Sequence, residues 1–569
     1  MLYPRLRPFP LLRSLARLGL CALFLGSCSD PKTVPSHAAI TALSLRAAQR
    51  ITCGPSERQF GSVDFAVSGS AAAANAFRLG VALLHSFEYD EAEKVFAALI
   101  RQHPECAMAY WGVAMSTFHP LWAPPSAADL RKGAGALALA RAIPQPSPRE
   151  ADYIAALSVF YEAWPTVDHH TRVLRFERAM ANLARTYPAD KEATAFYALA
   201  LTAAANPTDS TFAKQKKAGA LLAALYPNHP NHPGVVHYLI HAYDAPALAA
   251  LALPAARRYA AVAPSSAHAL HMPSHIFTRL GLWDECIQSN RASVEAAKCY
   301  GEAAGISGHW DEELHGLDYL VYAYLQRGDN RRAHQHWQYL NTIREVHPVN
   351  FKVAYALAAI PARYLLENKQ WAGAAALTLP PTNVSWPAYP WQQALVHFAR
   401  LLGAVHLNRL PAARAERQAL HRLQQALAEG QEFYQAAQVQ RQLTIGEAWI
   451  RLREGRPTEA VRLMTAAADM EDRTEKHPVT PGEVLPAREL LGDMLLELKR
   501  PAEALVAYEA NARHCPNRFN GLYGAGVAAA QAGDVGKARR YFQQLIGVVQ
   551  PAGSSRGEYT AVKRCLAAK

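Results

Sequence analysis

The sequence lacks the motifs by which many enzyme families bind their cofactors. Its 569 residues contain no H-E-x-x-H zinc motif, no phosphate-binding loop of the G-x-x-x-x-G-K-[ST] type and no G-x-G-x-x-G dinucleotide fingerprint. Long alternating runs of Val, Ile and Thr between turns are also missing, so a sheet-dominated fold is not expected. The eight cysteines form no C-x-x-C pair and no zinc-finger spacing, which leaves a redox dithiol and a zinc finger without support.

Beyond residue 28 the chain also lacks an apolar run long enough to span a bilayer. Near the N-terminus, four arginines precede the short apolar run LGLCALFL (18–25), which ends in LGSC (25–28). This pattern resembles a bacterial lipoprotein signal, in which the chain is cut before a cysteine that is then lipidated. The resemblance implies a signal peptide at 1–27 and a lipid anchor on Cys28. An ordinary signal peptide is the alternative.

The position after the anchor implies a location. Ser29 follows Cys28, and in that class of signal a residue other than Asp favours the outer membrane. We therefore expect an outer-membrane-anchored lipoprotein that faces the periplasm. This compartment is oxidising and permits disulfides. The cysteine pairs considered from the sequence are Cys53–Cys106 and Cys515–Cys565.

Positive charge is in modest excess, with 59 Lys and Arg against 47 Asp and Glu. Four of the arginines belong to the predicted signal, and the remaining basic residues are dispersed along the chain. A dispersed excess of this size does not form the basic patch of a nucleic-acid-binding protein, so no nucleic-acid partner is expected.

A repeat of 34 residues is clearest near the C-terminus. Gly492 is followed by Ala504, Tyr508 and Pro516 at offsets of 12, 16 and 24, and the next unit begins 34 residues later. Glycine and alanine let two helices approach closely, the aromatic ring fills the gap to the next unit, and proline ends the second helix. One such helix hairpin cannot bury its apolar faces alone, so the units must stack.

These spacings match the tetratricopeptide repeat. Segments such as CAMAYWGVAM (106–115), HPGVVHYLIHAYD (232–244) and HGLDYLVYAYLQ (315–326) resemble a bacterial family of tetratricopeptide-repeat lipoproteins. The resemblance implies an all-α fold, a superhelical solenoid of antiparallel helix pairs, and association with partners or ligands, without a particular reaction. The predicted organisation is a signal peptide at 1–27, a tether and N-terminal segment at 28–72, an N-terminal solenoid at 73–376, a proline-rich break at 377–391, a C-terminal solenoid at 392–552 and a tail at 553–569.

Pairs of histidines four residues apart recur at the repeat interval. HYLIH (237–241) and HMPSH (271–275) are separated by 34 residues. Equivalent places in successive repeats fall on one surface, and in tetratricopeptide-repeat proteins these places line the concave face. Residues i and i+4 share a helix face and packed helices lie about 8–10 Å apart, so imidazoles from neighbouring helices would meet one ion. The predicted metal ligands, expected in one pocket, are His237, His241, His271, His275 and His315.

Carboxylates on nearby turns extend this candidate site. Asp244 lies one turn after HYLIH, Asp318 lies one turn after His315, and Glu192 is near the start of an earlier first helix. We predict that they bind a ligand or support the metal, as bases or as outer partners of the histidines. Two other interpretations of the histidines stay open, namely a polar groove without metal and packing against aromatic rings with hydrogen bonds to carbonyls.

Two functions compete at this point. The leading hypothesis is a lipid-anchored cell-envelope protein whose concave face binds a protein or peptide partner or a small ligand, because repeat arrays usually act through such surfaces. The alternative is a metal-dependent hydrolase or oxidoreductase, because three histidine ligands leave a place for an activated water. The expected cofactor is one transition metal ion, zinc, copper or iron. Convergence of the histidines and retention of metal decide between the two.

Overall fold

A computed structural model describes residues 34–54, 59–121, 124–144, 147–206, 209–550 and 553–567. Helices dominate these ranges and confirm the expected all-α class. The predicted signal peptide and Cys28 lie outside the described residues. The helices are α1 (His37–Thr41), α2 (Ala71–His85), α3 (Tyr89–Gln102), α4 (Ala107–Ser116), α5 (Ala127–Ala142), α6 (Pro148–Tyr161), α7 (His169–Thr186), α8 (Lys191–Ala203), α9 (Ala213–Leu225), α10 (Pro233–Ala242), α11 (Ala249–Val262), α12 (Ala267–His271), α13 (Pro273–Leu280), α14 (Trp283–Ala303), α15 (Asp311–Gln326), α16 (Asn330–Leu340), α17 (Phe351–Glu367), α18 (Trp371–Ala375), α19 (Pro390–His406), α20 (Leu410–Glu429), α21 (Phe433–Arg453), α22 (Pro457–Asp472), α23 (Ala487–Glu497), α24 (Pro501–His514), α25 (Phe519–Gln531), α26 (Val535–Val549) and α27 (Gly557–Ala567).

Short connections join the helices into antiparallel hairpins that stack along the chain. Each hairpin has a first and a second helix, as in α2 with α3, α10 with α11, and α15 with α16. First helices of neighbouring hairpins also contact one another, for example α15 and α17. A 3-10 helix (Trp386–Ala388) lies in the break at 377–391, across which α17 contacts α19. Two short strands, β1 (His309–Trp310) and β2 (Val346–His347), pair in parallel. The division into two solenoids stays a prediction.

Contacts between glycines and aromatic rings set the approach of the helices. A Cβ atom placed on Gly492 would lie 2.6 Å from the ring of Tyr508, its partner at the predicted offset of 16. In the first hairpin a Cβ atom on Gly80 would lie 2.5 Å from the ring of Phe96, and that ring also lies against Gly112 of the next first helix. A side chain at any of these glycines would force the helices apart.

The described parts of the N-terminal segment, residues 43–54 and 59–68, run back across the repeats. The backbone N–H of Ser62 donates to the carbonyl of Asn231 at 3.0 Å, and the backbone N–H of Ser265 donates to the carbonyl of Gln59 at 3.2 Å. These hydrogen bonds hold the segment against the connections before α10 and α12. The segment is therefore part of the folded body.

This path corrects the expected disulfides. Cys53 is bonded to Cys299 near the end of α14, with 5.9 Å between the two Cα atoms, whereas Cys106, Cys515 and Cys565 are free thiols. The two pairs considered from the sequence, Cys53–Cys106 and Cys515–Cys565, are not formed. A partner 246 residues away is brought close by the course of the segment across the array, which separation along the chain does not show.

Residues 473–486, between α22 and α23, form a strap across the row of first helices. The hydroxyl of Tyr319 in α15 donates to the carbonyl of Thr480 at 3.0 Å. Arg363 in α17 donates to the carbonyl of Gly482 at 2.8 Å. The strap thus contacts two neighbouring first helices, α15 and α17.

A buried ionic network joins the last repeats to the same helices. Arg518, at the start of α25, donates to Glu367 of α17 at 2.6 Å, to Glu489 of α23 at 3.0 Å and to the hydroxyl of Tyr322 of α15 at 2.9 Å. All four side chains are buried. A buried charge without a partner is costly, so this network specifies how the C-terminal repeats pack against α15 and α17.

Replacing Gly492 by alanine should lower the free energy of unfolding by about 1–3 kcal/mol, because the new methyl group must displace the Tyr508 ring. Unfolding followed by circular dichroism measures the effect. Gly547→Ala is the matched control, since no atom lies within 4 Å of its added Cβ and alanine there should raise stability by up to about 1 kcal/mol. Equal stability of Gly492→Ala and the wild type would contradict the contact.

Candidate metal centre

Three successive first helices bring six histidines into one region. These helices are α10, the α12–α13 pair and α15. Pro273 has no N–H to donate and interrupts the helix between α12 and α13, but the histidines of this pair still lie beside those of α10 and α15. Within each of two groups the ligand nitrogens lie within 4.8 Å of one another. The first triad is His237, His241 and His268, and the second triad is His271, His275 and His315.

In the first triad the side chains converge on Nε2 of His237. Nε2 of His241 lies 3.0 Å from it and Nε2 of His268 lies 3.2 Å from it. On the far side of the ring, Nδ1 of His237 donates to the backbone carbonyl of His85 at 2.6 Å. Burial lowers the pKa of His237 to about 3, so this ring is neutral at pH 7. A neutral imidazole carries one proton, which this bond places on Nδ1, and Nε2 therefore presents a lone pair to the other rings.

In the second triad the ring of His271 is oriented by an amide. Its Nδ1 lies 2.7 Å from Oδ1 of Asn290, and Nδ2 of Asn290 donates to the carbonyl of Cys286 at 2.8 Å. This second bond fixes the amide so that its oxygen faces the ring. Nδ1 of His271 is then the donor, and Nε2 presents a lone pair.

The ring of His275 is oriented by a carboxylate. Nδ1 of His275 lies 3.0 Å from Oδ2 of Asp244, and Arg279 donates to Oδ1 at 2.9 Å. Burial disfavours the charged carboxylate, but Lys476 and Arg279 outweigh burial and hold the pKa of Asp244 well below its usual value. An ionised carboxylate only accepts hydrogen bonds, so Nδ1 of His275 carries the proton and Nε2 is a lone pair.

The two oriented ε nitrogens of the second triad face each other. Nε2 of His271 lies 3.1 Å from Nε2 of His275. Burial lowers the pKa of both rings, which disfavours a proton shared between them. Two lone pairs at this distance repel unless a cation lies between them. The ring centroid of His315 lies 4.2 Å from that of His271 and supplies the third imidazole.

The nitrogen spacings match those around one metal ion. With metal–nitrogen bonds of about 2.0–2.1 Å, separations of 3.0–3.2 Å correspond to nitrogen–metal–nitrogen angles of about 95–105°. Histidines that bind metal usually donate their other ring N–H to a carboxylate or a carbonyl. His237 and His275 have such acceptors, and His271 has an amide oxygen in that place. Both triads could therefore hold a metal.

A third group, His85, Glu192 and His232, is of a different kind. The backbone N–H of Val235 donates to Nδ1 of His232, so Nε2 of His232 carries the proton and donates to Glu192 at 2.8 Å. Nε2 of His85 also lies 2.8 Å from Glu192, and its Nδ1 lies 2.9 Å from the hydroxyl of Tyr238. Every ring nitrogen has a partner of the right kind, so this group is a complete hydrogen-bonded network that needs no ion.

The predicted carboxylates take three separate places. Glu192 lies in the third group, and Asp244 supports His275 from outside the second triad. Asp318 is paired with Arg363 of α17, which also donates to the carbonyl of Gly482 in the strap. Asp244 is thus in the position of an outer partner, whereas Asp318 neutralises a buried guanidinium.

The second triad is enclosed. His271 is fully buried, His275 is 2% exposed and His315 is 7% exposed. The strap closes this region through two contacts. Lys476 donates to Asp244 at 3.4 Å, and the carbonyl of Thr480 accepts from the hydroxyl of Tyr319, which also lies 3.5 Å from Nδ1 of His275. The first triad is covered by the ring of Phe87, whose centroid lies 4.5 Å from that of His237.

The expected single pocket is divided into two triads. His237 and His241 lie with His268, which was not among the predicted ligands, and His271, His275 and His315 lie together. His268 precedes His271 by three residues, a helical spacing that places both near one face and was overlooked. Asn290 had no signal in the sequence, because it belongs to a second helix and its role depends on how α12 packs on α14. The ligand roles of all these residues stay predictions.

Comparisons with known proteins identify no family for this chain. No family model and no curated protein matches the chain. Two solved structures of the human IFIT1 dimer, with PPP-AAAA and with m7Gppp-AAAA, are 9% and 10% identical to it. The matches cover 83% and 85% of this chain and 90% and 91% of the IFIT1 chains, with TM-scores of 0.33 and 0.34. Likeness at this level carries no argument about function.

None of the described helices combines the length and the apolar character needed to cross a bilayer.

Proposed function

We propose that this protein is a metal-binding helical solenoid that holds a transition metal ion on the second triad. The observation that carries the proposal is the pair of ε nitrogens of His271 and His275, 3.1 Å apart, with both δ nitrogens committed to outer acceptors. Packing against aromatic rings does not explain why the Nε2 lone pairs of His271 and His275 face each other. Imidazole ligands suit zinc, copper, iron or nickel.

Retention of the ion is favoured over turnover of a substrate. The ligands of the second triad are nearly inaccessible, and the strap lies over the row next to them. A catalytic metal needs an open coordination place that a substrate can reach. The strap also occupies the surface where a peptide partner was expected, which favours an enclosed ion over a docked chain at this point.

We expect the full chain to be purified with metal, and His275→Ala to lose it. Removing one of three ligands leaves two, too few for tight retention at this site. Inductively coupled plasma mass spectrometry gives the metal content, and circular dichroism checks that the helical content is kept. His232→Gln is the control, since the third group needs no ion and glutamine can still donate to Glu192. A metal content of His275→Ala equal to that of the wild type, or a loss of metal by His232→Gln, would contradict the assignment.

Asn290 should act by positioning His271. Asn290→Leu keeps all three ligands and removes the oxygen that accepts from Nδ1, so metal affinity should fall by about 10–100-fold. Competition with a chromophoric chelator measures the affinity. Ser289→Ala is the matched control, because Ser289 also bonds α14 to α12, through the carbonyl of Leu270, without touching a ligand. A similar loss of affinity in both variants would mean that packing between these helices, and not ring orientation, is responsible.

We also propose that the solenoid is tethered to the membrane through a lipid on Cys28. The support is the signal-like sequence at 1–28 and the disulfide between Cys53 and Cys299, which suits an oxidising compartment of the cell envelope. A lipid-anchored location at the outer membrane, facing the periplasm, follows from the same sequence.

Cys28→Ala should abolish acyl labelling and move the protein from the membrane fraction to the soluble fraction, because no other anchor is proposed. Metabolic labelling with a fatty-acid analogue and fractionation measure both effects. Cys565→Ala is the control, since that thiol is exposed and lies outside the signal. Acyl labelling that persists in Cys28→Ala would rule out this residue as the lipid site.

A further inference from the structure

Resting on the proposed metal site, we propose that the chain binds two metal ions side by side, one on each triad, and that both are copper(I). The first triad shares two features with the second. Its three ligand nitrogens lie within 4.8 Å of one another, and one of its rings, His237, is oriented from outside, by the carbonyl of His85. No protein residue bridges the two triads as a shared ligand in the described chain, so each would hold its own ion.

The two sites are neighbours. The rings of His241 and His275, one from each triad, have centroids 6.5 Å apart. His268 and His271 lie one turn apart on α12 and serve different triads. A metal bound to an imidazole lies about 3 Å from the ring centroid, so the two ions would be within about 13 Å of each other. At this distance, in a buried region, their charges interact.

The charge around the triads favours monovalent ions. All six ligands are imidazoles, and the carboxylate that contacts His275, Asp244, already pairs with Arg279 and Lys476. Repulsion between two buried ions and the cost of removing each from water both scale with the square of the charge. Two divalent ions would therefore bear four times the penalty of two monovalent ions, with no negative ligand to offset it.

The number of ligands in each triad also favours copper(I) over zinc. Each triad offers three residues among the His, Cys, Asp and Glu side chains described, and structural zinc sites almost always have four protein ligands. A zinc ion with three protein ligands completes its coordination shell with a water molecule. Such a water is typical of an open site, whereas the histidines of these triads are enclosed by protein. Copper(I) forms stable complexes with three nitrogen ligands and needs no fourth.

The test is an anaerobic titration of the metal-free full chain with copper(I) in competition with bicinchoninate, and a parallel titration with zinc. We expect two equivalents of copper(I), bound at least 100-fold more tightly than zinc. His241→Ala and His275→Ala should each lose one equivalent and keep the other. His268→Gln, which keeps a polar side chain of similar size, should also lose one equivalent and guards against loss of fold in His241→Ala.

The outcomes separate this inference from the proposed function. One equivalent of copper(I), lost in His275→Ala and kept in His268→Gln, would overturn the pair but retain the metal site on the second triad. Two equivalents of zinc bound more tightly than copper(I) would overturn the monovalent assignment alone. Absence of any metal binding by the wild-type chain would overturn both proposals. X-ray absorption of the copper-loaded chain should show three nitrogen neighbours, and a four-coordinate shell would contradict the enclosed three-histidine site.

Discussion

The contact between an aromatic ring and the glycines of two successive first helices is the constraint on which the rest of the structure depends. The Phe96 ring lies against Gly80 and Gly112, and the Tyr508 ring lies against Gly492 and Gly524. Each ring fills the space left by two missing side chains, so the distance between neighbouring first helices is fixed within narrow limits. A fixed distance keeps the repeats in register, and residues about one repeat apart in sequence become neighbours in space.

Register brings the histidines together, but their orientation comes from groups outside the repeat pattern. The acceptors for the outer nitrogens of His237, His271 and His275 are a backbone carbonyl, an amide and a carboxylate. These acceptors turn the ε nitrogens inward. The third group has acceptors and donors arranged so that its protons are all used, and it therefore stabilises the core without an ion. The triads and the third group therefore differ in whether hydrogen bonds use every ring nitrogen.

Burial controls the charge of the histidines in the triads. Buried imidazoles whose pKa is lowered remain neutral, and neutral rings are the form that binds metal. The strap and the Arg518 network hold the C-terminal repeats over α15 and α17, next to the second triad. Removal of solvent strengthens the interaction of any bound ion with its ligands and slows its release. A solenoid, usually an open scaffold, is in this region closed by its own chain.

The sequence by itself determined the all-α class, the 34-residue period and the recurrence of histidines on one row of helices, because each depends on spacing along one or two adjacent helices. It did not determine the disulfide from Cys53 to Cys299, the division of the histidines into two triads, or the role of Asn290. These depend on contacts between segments far apart in the chain, and on which nitrogen of each ring carries its proton. Only the tertiary structure decides them, since it alone supplies the partner on the far side of each ring.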